Sequence, residues 1–228
     1  MAFEHTFDYR RSMSIVFQPS LLDDLALDAA RLAPLHGAVH RIELTDGAWV
    51  DLRPGWLLGS DAVFERLVES VPWRADRREM YDRVVDVPRL VSWFGADDDL
   101  PDAVLDDAMR DLNAYYSGLP GITPDQRFQT AGLCFYRTGN DSVAWHGDRV
   151  GRAIDRDTMV GILSVGEARV LSLRPKDGGG EVRRFALGHG DLIVMGGSCQ
   201  RTHEHAILKT KKAVGPRISV QFRPVWPR

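Results

Sequence analysis

The second half of the chain constrains the fold most, because from Phe128 onward it consists of short strand candidates separated by turn residues. A glycine-rich run at residues 176–180 predicts a hairpin loop between two of these candidates. The strand candidates are residues 132–137, 159–165, 169–173, 183–187, 191–195 and 217–223. Many short strands with frequent turns are typical of a jelly-roll-like β-barrel, which we therefore expect for residues 128–228.

The first half predicts helices and a hairpin that would brace one outer face of this barrel. Apolar residues at helical spacing predict helices over residues 20–33, 60–70 and 101–116, with Ser60 as the N-cap of the second. An Asp-Gly pair at residues 46–47, between two alternating segments, predicts a β-hairpin. Residues 79–89 are expected to form a strand and a turn. The expected fold class is therefore mainly β with flanking helices (α+β).

Length and composition bound the kind of protein. A chain of 228 residues suits one compact domain, which we divide into an N-terminal extension (1–58), a segment with bracing helices (59–127) and a catalytic core (128–228). Two cysteines cannot form a disulfide framework, so a reduced, cytoplasmic setting is expected. Neither a membrane span nor a secretory signal is evident. A net charge of -3 disfavours a tight duplex binder but allows an enzyme with a local basic groove.

The strongest functional signal is the segment Trp145-His146-Gly147-Asp148. On a strand, His146 and Asp148 would point to the same side, because side chains alternate with a period of two. With a second, distant histidine they could form a facial triad, which suits non-haem Fe(II) that must also bind a cosubstrate and O2. Taken alone, the pair could equally be a surface histidine and a turn-forming aspartate.

Two arginines further on, Arg217 and Arg223, also share one face of a strand candidate. Two guanidinium groups on one face can hold a dicarboxylate through bidentate, charge-assisted hydrogen bonds. That arrangement meets the needs of a 2-oxoglutarate site. The alternative is a half-exposed strand whose arginines point outward.

The ordered set of motifs resembles the AlkB family of Fe(II)/2-oxoglutarate-dependent nucleic-acid dealkylases, bacterial type. The matching pieces are residues 136–148, 164–166, 190–191, 195–197, 204–206 and 216–223. The resemblance implies a double-stranded β-helix (jelly roll), with an N-terminal helical and hairpin extension and the metal at the barrel mouth. It also implies that His146, Asp148 and His205 hold Fe(II). We prefer His205 to His203 because a small residue and an aliphatic residue follow it.

The same resemblance implies the cosubstrate contacts. Arg217 would hold the distal carboxylate of 2-oxoglutarate, Arg223 the carboxylate beside the keto group, and Tyr136 would reach the same molecule. The chain departs from the family at Cys134, where asparagine is frequent, and at Ser219 and Gln221, where asparagine and threonine are frequent. These side chains are all polar or small, so we expect the pocket to persist with altered hydrogen bonds.

The substrate side departs further from the family. Residues 87–95 are similar to the Pro-Arg lid segment, which makes Arg89, Trp93 and Phe94 candidates for substrate binding, with core packing as the alternative for the two aromatic residues. Arg149 follows the His-Gly-Asp motif where acidic residues are frequent, so the pocket would be cationic or the arginine would turn outward to phosphate. The basic loop 209–212 would either follow a phosphate backbone beside the mouth or be solvated.

The activity implied is Fe(II)/2-oxoglutarate-dependent oxidative dealkylation of N-alkylated bases, such as 1-methyladenine, 3-methylcytosine and etheno adducts, in DNA or RNA. We expect Fe(II), 2-oxoglutarate and O2 as cofactors, transient contact with alkylated nucleic acid, no membrane and a monomer. Two alternatives remain. One is a related oxygenase that acts on a protein or a small molecule, and the other is a non-catalytic binding module that keeps the fold.

Overall fold

The structure is a computed structural model that describes residues 30–80, 83–148 and 156–225. Its helices are α1 (Ser60–Ser70), α2 (Ala103–Ser117) and α3 (Cys199–Thr202). Its strands are β1 (Arg31–Leu32), β2 (His40–Glu43), β3 (Ala48–Arg53), β4 (Leu57–Leu58), β5 (Arg74–Met80), β6 (Arg83–Phe94), β7 (Thr130–Tyr136), β8 (Val143–His146), β9 (Val160–Gly166), β10 (Arg169–Pro175), β11 (Arg183–Leu187), β12 (Leu192–Gly197), β13 (His203–Ile207) and β14 (Arg217–Arg223).

Two antiparallel sheets form the barrel. The major sheet has eight strands in the order β2-β3-β12-β9-β14-β7-β6-β5, and the minor sheet has four in the order β11-β10-β13-β8. Apolar side chains from both sheets fill the space between them, including Ile162 and Met195 from the major sheet and Leu171 and Phe185 from the minor one. This architecture confirms the predicted jelly roll with flanking helices.

A second core lies on the other face of the major sheet, where α1 and α2 pack. Phe64 of α1 and Leu112 of α2 share this core with Ile218, Val220 and Phe222 of β14. Strand β14 therefore has an apolar face against the helices and a second face turned into the barrel. No helix in the described part of the chain has the length and apolar character needed to cross a membrane.

The predicted helix at residues 60–70 is confirmed, but its predicted N-cap is wrong. The cap is Gly59, which adopts a left-handed conformation with φ of 67° that glycine accepts without strain. Ser60 is already inside the helix, and its hydroxyl donates a hydrogen bond to the carbonyl of Leu57. No side chain caps the first amides of this helix.

Two other local predictions need correction. A helix was predicted over residues 20–33, but residues 31–32 form β1, which is paired with β4. Residues 20–29 of the predicted helix lie outside the described residues. Pro88 does not end a strand, because β6 continues to Phe94. Pro88 lies at an irregularity in the β5–β6 pairing, between Asp86 and Leu90, where a residue without an amide proton is tolerated.

The predicted hairpins are confirmed. Strands β2 and β3 are joined at residues 45–47, where Asp46 has φ of 59°, and the loop at 176–180 joins β10 to β11. Strand β3 also pairs along its whole length with β12. Part of the segment expected as an N-terminal extension is therefore built into the major sheet that carries the arginine strand.

A buried polar network ties this hairpin to α2. Asp51 is only 2% exposed and accepts two hydrogen bonds from Arg41, each 2.8 Å long, and one from the Tyr116 hydroxyl at 2.9 Å. Burial, and then the Asp51 charge, raise the pKa of Tyr116. The phenol therefore stays protonated and serves as a buried donor whose acceptor is Asp51.

Replacing Asp51 by alanine should lower the free energy of unfolding by about 2–3 kcal/mol, because Tyr116 would become a buried donor without an acceptor. An Asp51→Asn variant retains an acceptor oxygen and should lose clearly less. Chemical denaturation monitored by tryptophan fluorescence measures both. Equal losses in the two variants would show that the acceptor role of Asp51 is not what stabilises the fold.

Candidate metal and cosubstrate centre

Three candidate ligands converge at one end of the barrel. His146 ends β8 and is paired directly with His205 of β13, with ring centroids 4.3 Å apart. Asp148 follows two residues after His146, and its Oδ1 lies 3.8 Å from His146 Nε2. One ligand atom from each of the three residues lies within 4.8 Å of the others. Two imidazoles and a carboxylate gathered in this way fit a facial triad for Fe(II).

The ring of His146 is oriented by a backbone contact. Its Nδ1 lies 2.8 Å from the carbonyl oxygen of Ala144. A carbonyl can only accept, so Nδ1 carries the proton and Nε2 keeps a free lone pair. This is the tautomer that presents Nε2 to a metal ion.

Gly147, between the first two ligands, lies where neighbouring residues leave little room for a side chain. A Cβ atom at this position would lie 3.0 Å from the carbonyl oxygen of Gln200 and 3.0 Å from Lys176 Nζ. The amide of Asp148 donates to Gln200 Oε1 at 3.1 Å. The short helix α3 thus supports the segment that carries Asp148. Lys176 Nζ holds this helix in turn, because it donates to the carbonyls of Gln200 and Arg201.

The charges at the triad favour metal binding. Burial, with a smaller contribution from His146, lowers the pKa of His205 to about 3. Burial alone would raise the pKa of Asp148, but Arg223 and the two histidines hold it well below its usual range. At neutral pH the site therefore offers a neutral imidazole and an ionised carboxylate, which are the protonation states that ligate metals.

Arg217 lies in the barrel interior with an unsatisfied donor. The side chain is 1% exposed, and its Nε and Nη2 both donate to Ser164 Oγ. Its Nη1 is buried and has no hydrogen-bond partner among the described residues. Its guanidinium carbon lies 5.4 Å from the ring centroid of Tyr136. A buried cation with a free N–H fits a carboxylate ligand, and the distal carboxylate of 2-oxoglutarate meets this requirement.

Arg223 connects the arginine strand to the triad. Its Nε and Nη2 lie 3.0 and 2.9 Å from Asp148 Oδ2. Ser219 and Gln221 lie on the same inward face of β14, where Gln221 Nε2 donates to Ser219 Oγ at 2.5 Å. The four polar residues of β14 form one continuous row from the buried Arg217 to the metal ligands.

The substrate-side candidates occupy different places. Trp93 is 53% exposed, and its ring centroid lies 5.8 Å from the guanidinium carbon of Arg223, so it stands at the mouth of the site. Phe94 faces the opposite way and packs against the helical core. Arg89 points into the barrel, where its Nε donates to Cys134 Sγ at 3.4 Å. Arg149 lies outside the described residues.

The other imidazole groups and the basic loop have partners outside the triad. His203 is held through its Nδ1 by the Thr202 hydroxyl at 2.8 Å. The Nδ1 of His189 accepts a hydrogen bond from the amide of Gly166, and its Nε2 lies 3.0 Å from Asp61 Oδ1 of α1. These two contacts attach a turn of the barrel to helix α1. The loop at residues 209–212 follows the far end of β13 and packs on residues 138–140, at the Arg217 end of the barrel rather than at the mouth.

Sequence reasoning did not identify three residues that shape this site. Ser164 holds Arg217, Gln200 holds the amide of Asp148, and Lys176 packs behind Gly147. Ser164 lies in one of the family-like motifs, which was the available signal. Gln200 lies in the short helix α3 and Lys176 in a turn, and no local pattern marks either residue.

Comparisons with known proteins agree with this geometry. The model of the 2OG-Fe(II) oxygenase superfamily matches residues 60–223. The chain is 31% identical over 195 residues to the alpha-ketoglutarate-dependent dioxygenase alkB homolog 3 of Bos taurus, covering 78% of this chain and 66% of the relative. It is 27% identical over 225 residues to the Homo sapiens protein of the same name, covering 92% and 74%. It is also 32% identical over 136 residues to the DNA oxidative demethylase ALKBH2 of Arabidopsis thaliana, covering 50% and 42%.

Solved structures show the same fold at low sequence identity. The structure of OsALKBH1 matches with a TM-score of 0.54 and 14% identity, covering 82% of this chain and all of that one. A prolyl hydroxylase from Trichoplax adhaerens matches with a TM-score of 0.56 and 13% identity, covering 79% and 84%. The matched superfamily model includes every candidate ligand and both arginines. The chain therefore belongs to the 2OG-Fe(II) oxygenase superfamily and, within it, to the AlkB family of dioxygenases.

Proposed function

We propose that this dioxygenase removes alkyl groups from the nitrogen atoms of bases in DNA or RNA. The observation that carries the proposal is the row of polar groups on β14, which runs from the unsatisfied Nη1 of Arg217 to the Arg223–Asp148 pair beside the two histidines. The names of the relatives support the substrate class, since they are an alkB homolog dioxygenase and a DNA oxidative demethylase. The expected lesions are 1-methyladenine, 3-methylcytosine and etheno adducts.

Family membership implies Fe(II), 2-oxoglutarate and O2 as the reactive partners. His146, Asp148 and His205 would hold the metal. When bound, these partners supply the oxidation of the alkyl carbon, which yields succinate and CO2 and releases the hydroxylated alkyl group as an aldehyde. The protein supplies the binding, the orientation and the exclusion of water.

The residues of the chain have separable tasks in this reaction. Arg217 would neutralise the distal carboxylate of the cosubstrate in a buried place, where a charge pair is strong. Arg223, which lies on the same strand as Arg217, would orient Asp148 and the cosubstrate carboxylate beside the keto group. A rigid β-strand fixes both distances, so the cosubstrate is held in one orientation with respect to the metal ligands.

Trp93 is positioned to receive the base. An enzyme that acts on a base must take it out of its stack and supply a new stacking surface. The Trp93 ring is exposed at the mouth, and it lies over Gly132, where a Cβ would approach the ring to 3.1 Å. The absence of a side chain at Gly132 leaves room for the indole beside Arg223. We infer that the alkylated base stacks on this indole.

A Trp93→Ala variant should raise the KM for a methylated oligonucleotide about tenfold or more, since base–aromatic stacking contributes about 1–3 kcal/mol. The KM for 2-oxoglutarate should change little, because Trp93 lies at the mouth rather than in the buried pocket. Steady-state assays of succinate formation measure both constants. A Phe94→Ala variant is the matched control, since that side chain belongs to the core and should affect stability instead.

Succinate formation also tests the proposal itself. Purified protein with Fe(II), ascorbate and 2-oxoglutarate should form succinate faster when a methylated oligonucleotide is added than with the same unmodified oligonucleotide. An equal rate with both would reject alkylated nucleic acid as the substrate. The expectations of a monomer and of a reduced, cytoplasmic setting stay predictions, and size-exclusion chromatography with light scattering tests the first.

A further inference from the structure

Arg89 belongs to the lid strand β6 but reaches into the cosubstrate pocket. Its Nε lies 3.4 Å from Cys134 Sγ, and its Nη1 donates to the carbonyl of Ser142 at 3.2 Å. The amide of Ser142 in turn donates to the carbonyl of Pro88 at 2.7 Å. This corner of β6 is thus attached both to β7 and to the segment that leads into the His146 strand.

Cys134 is the point where this lid contact meets the cosubstrate row. It is paired with Val91 of β6 on one side and with Ser219 of β14 on the other. Its Sγ lies 3.6 Å from Gln221 Oε1, and Gln221 Nε2 donates to Ser219 Oγ. A chain of polar contacts therefore runs from Arg89 through Cys134 into the strand that carries both arginines.

The positive charge of Arg89 acts on Tyr136 inside the cosubstrate pocket. Burial raises the pKa of Tyr136, whereas the positive charges of Arg217, Arg89 and Arg169 act in the opposite direction. In the antiparallel register Leu90 is opposite Phe135, so the next position along the two strands brings Arg89 beside Tyr136. An anion that enters beside Arg217 and Tyr136 would attract the guanidinium of Arg89 as well.

Strand β6 carries both Arg89 and Trp93. Trp93 follows Arg89 by an even number of residues, and the two side chains lie on the same face, over Gly132 and Cys134 of β7. Arg89 is at the Tyr136 end of this face, and Trp93 is beside Arg223 at the mouth. Coupling between two sites can be carried by a rigid secondary-structure element, and β6 is one continuous strand from Arg89 to Trp93.

We propose that Arg89 and Cys134 couple cosubstrate binding to substrate binding: a dicarboxylate in the Arg217 pocket changes the Arg89–Cys134 contact, and thereby sets the position of β6 and of Trp93. The coupling rests on the proposed function, because it requires a base that stacks on Trp93. In this account Arg89 and Cys134 are positioning residues. They act through the lid strand rather than on the reacting atoms.

The test measures how 2-oxoglutarate changes oligonucleotide affinity without any turnover. The full chain is loaded with Mn(II) in place of Fe(II). A fluorescent single-stranded oligonucleotide carrying one 1-methyladenine is titrated with and without 2-oxoglutarate, and anisotropy gives Kd in each case. The quantity compared is the ratio of the two Kd values. For the wild type we expect 2-oxoglutarate to tighten binding about fivefold or more, the lower range of allosteric coupling.

In Cys134→Ala this ratio should fall to about one, because alanine cannot accept from Arg89. Cys134→Ser should keep most of the ratio, since a hydroxyl accepts the same hydrogen bond. Arg89→Lys keeps the charge but cannot contact Cys134 and Ser142 together, so its ratio should also fall. Val170→Ala is the control, because that exposed side chain on β10 lies outside the contact chain, and it should behave like the wild type. Thermal melting identifies any variant that does not fold.

A wild-type ratio in both Cys134→Ala and Arg89→Lys would overturn the inference, and so would a ratio of one in the wild type. These outcomes leave the proposed function standing if succinate formation still responds to methylated oligonucleotide. Failure of the proposed function has a different signature, which is a wild type that neither binds the oligonucleotide nor responds to it in turnover. That result would overturn the inference as well.

Discussion

Replacing His205 by alanine should reduce 2-oxoglutarate turnover by more than about a hundredfold. Loss of a residue that merely orients a metal ligand costs about 10–100-fold in affinity or activity, and the loss of a ligand should exceed this range. His205 is buried and paired directly with His146, and it is the second imidazole in the group of candidate ligands. The measurements are succinate formation with excess Fe(II) and the Fe(II) affinity of the protein under anaerobic conditions.

The matched control for this variant is His203→Ala. His203 lies two residues earlier on the same strand and is buried to a similar extent, but its Nδ1 is engaged by Thr202. We expect His203→Ala to keep its Fe(II) affinity. The opposite outcome, with metal lost in His203→Ala and kept in His205→Ala, would reverse the assignment of the third ligand.

Replacing Arg217 by methionine should raise the KM for 2-oxoglutarate by at least about thirtyfold. Removing one partner of a buried, hydrogen-bonded charge pair costs about 2–5 kcal/mol, and Arg217 would be the partner of the distal carboxylate. The oligonucleotide KM should change much less. Without cosubstrate the variant should be at least as stable as the wild type, because a buried charge with an unsatisfied Nη1 is removed. Thermal melting should then show that 2-oxoglutarate stabilises the wild type and no longer stabilises the variant.

A second buried arginine provides the comparison for Arg217. Arg169 also lies near the Tyr136 ring, but its Nη atoms donate to the carbonyl oxygens of Thr138, Asp141 and Leu208. Arg169→Met should therefore lower the free energy of unfolding and affect the 2-oxoglutarate KM less than Arg217→Met does. If the two variants raised this KM equally, the unsatisfied Nη1 of Arg217 would not be the anchor for the cosubstrate.

The parts of the site that follow strand periodicity could be predicted from the sequence. Arg217 and Arg223 share a face because even spacing on one strand dictates it. The same argument correctly brought Asp148 close to His146, but β8 ends at His146, so Asp148 reaches the site from the segment after the strand. The family-like order of motifs then supplied His205 and the jelly roll. Each of these inferences depends on a short stretch of chain or on a motif, so it needs no knowledge of the three-dimensional packing.

Contacts between distant segments could not be predicted in this way. Cys134 meets Arg89 across 45 residues, and Gln200 meets the Asp148 amide across 52. Strand register decides such pairs, and neither partner carries a local signal. The continuation of β6 through Pro88 was missed for the same reason, because the irregular pairing that tolerates a proline is a property of two strands together.

The most direct test of the central claim is a mass-spectrometric repair assay. Purified protein with Fe(II), ascorbate and 2-oxoglutarate is given short oligonucleotides that carry 1-methyladenine, 3-methylcytosine or an etheno adduct, as single or double strands, with His146→Ala run in parallel. The account predicts that the wild type removes the alkyl mass and that the variant does not. An unchanged oligonucleotide, with succinate still formed by the wild type, would contradict a nucleic-acid dealkylase and leave an oxygenase whose substrate is a protein or a small molecule.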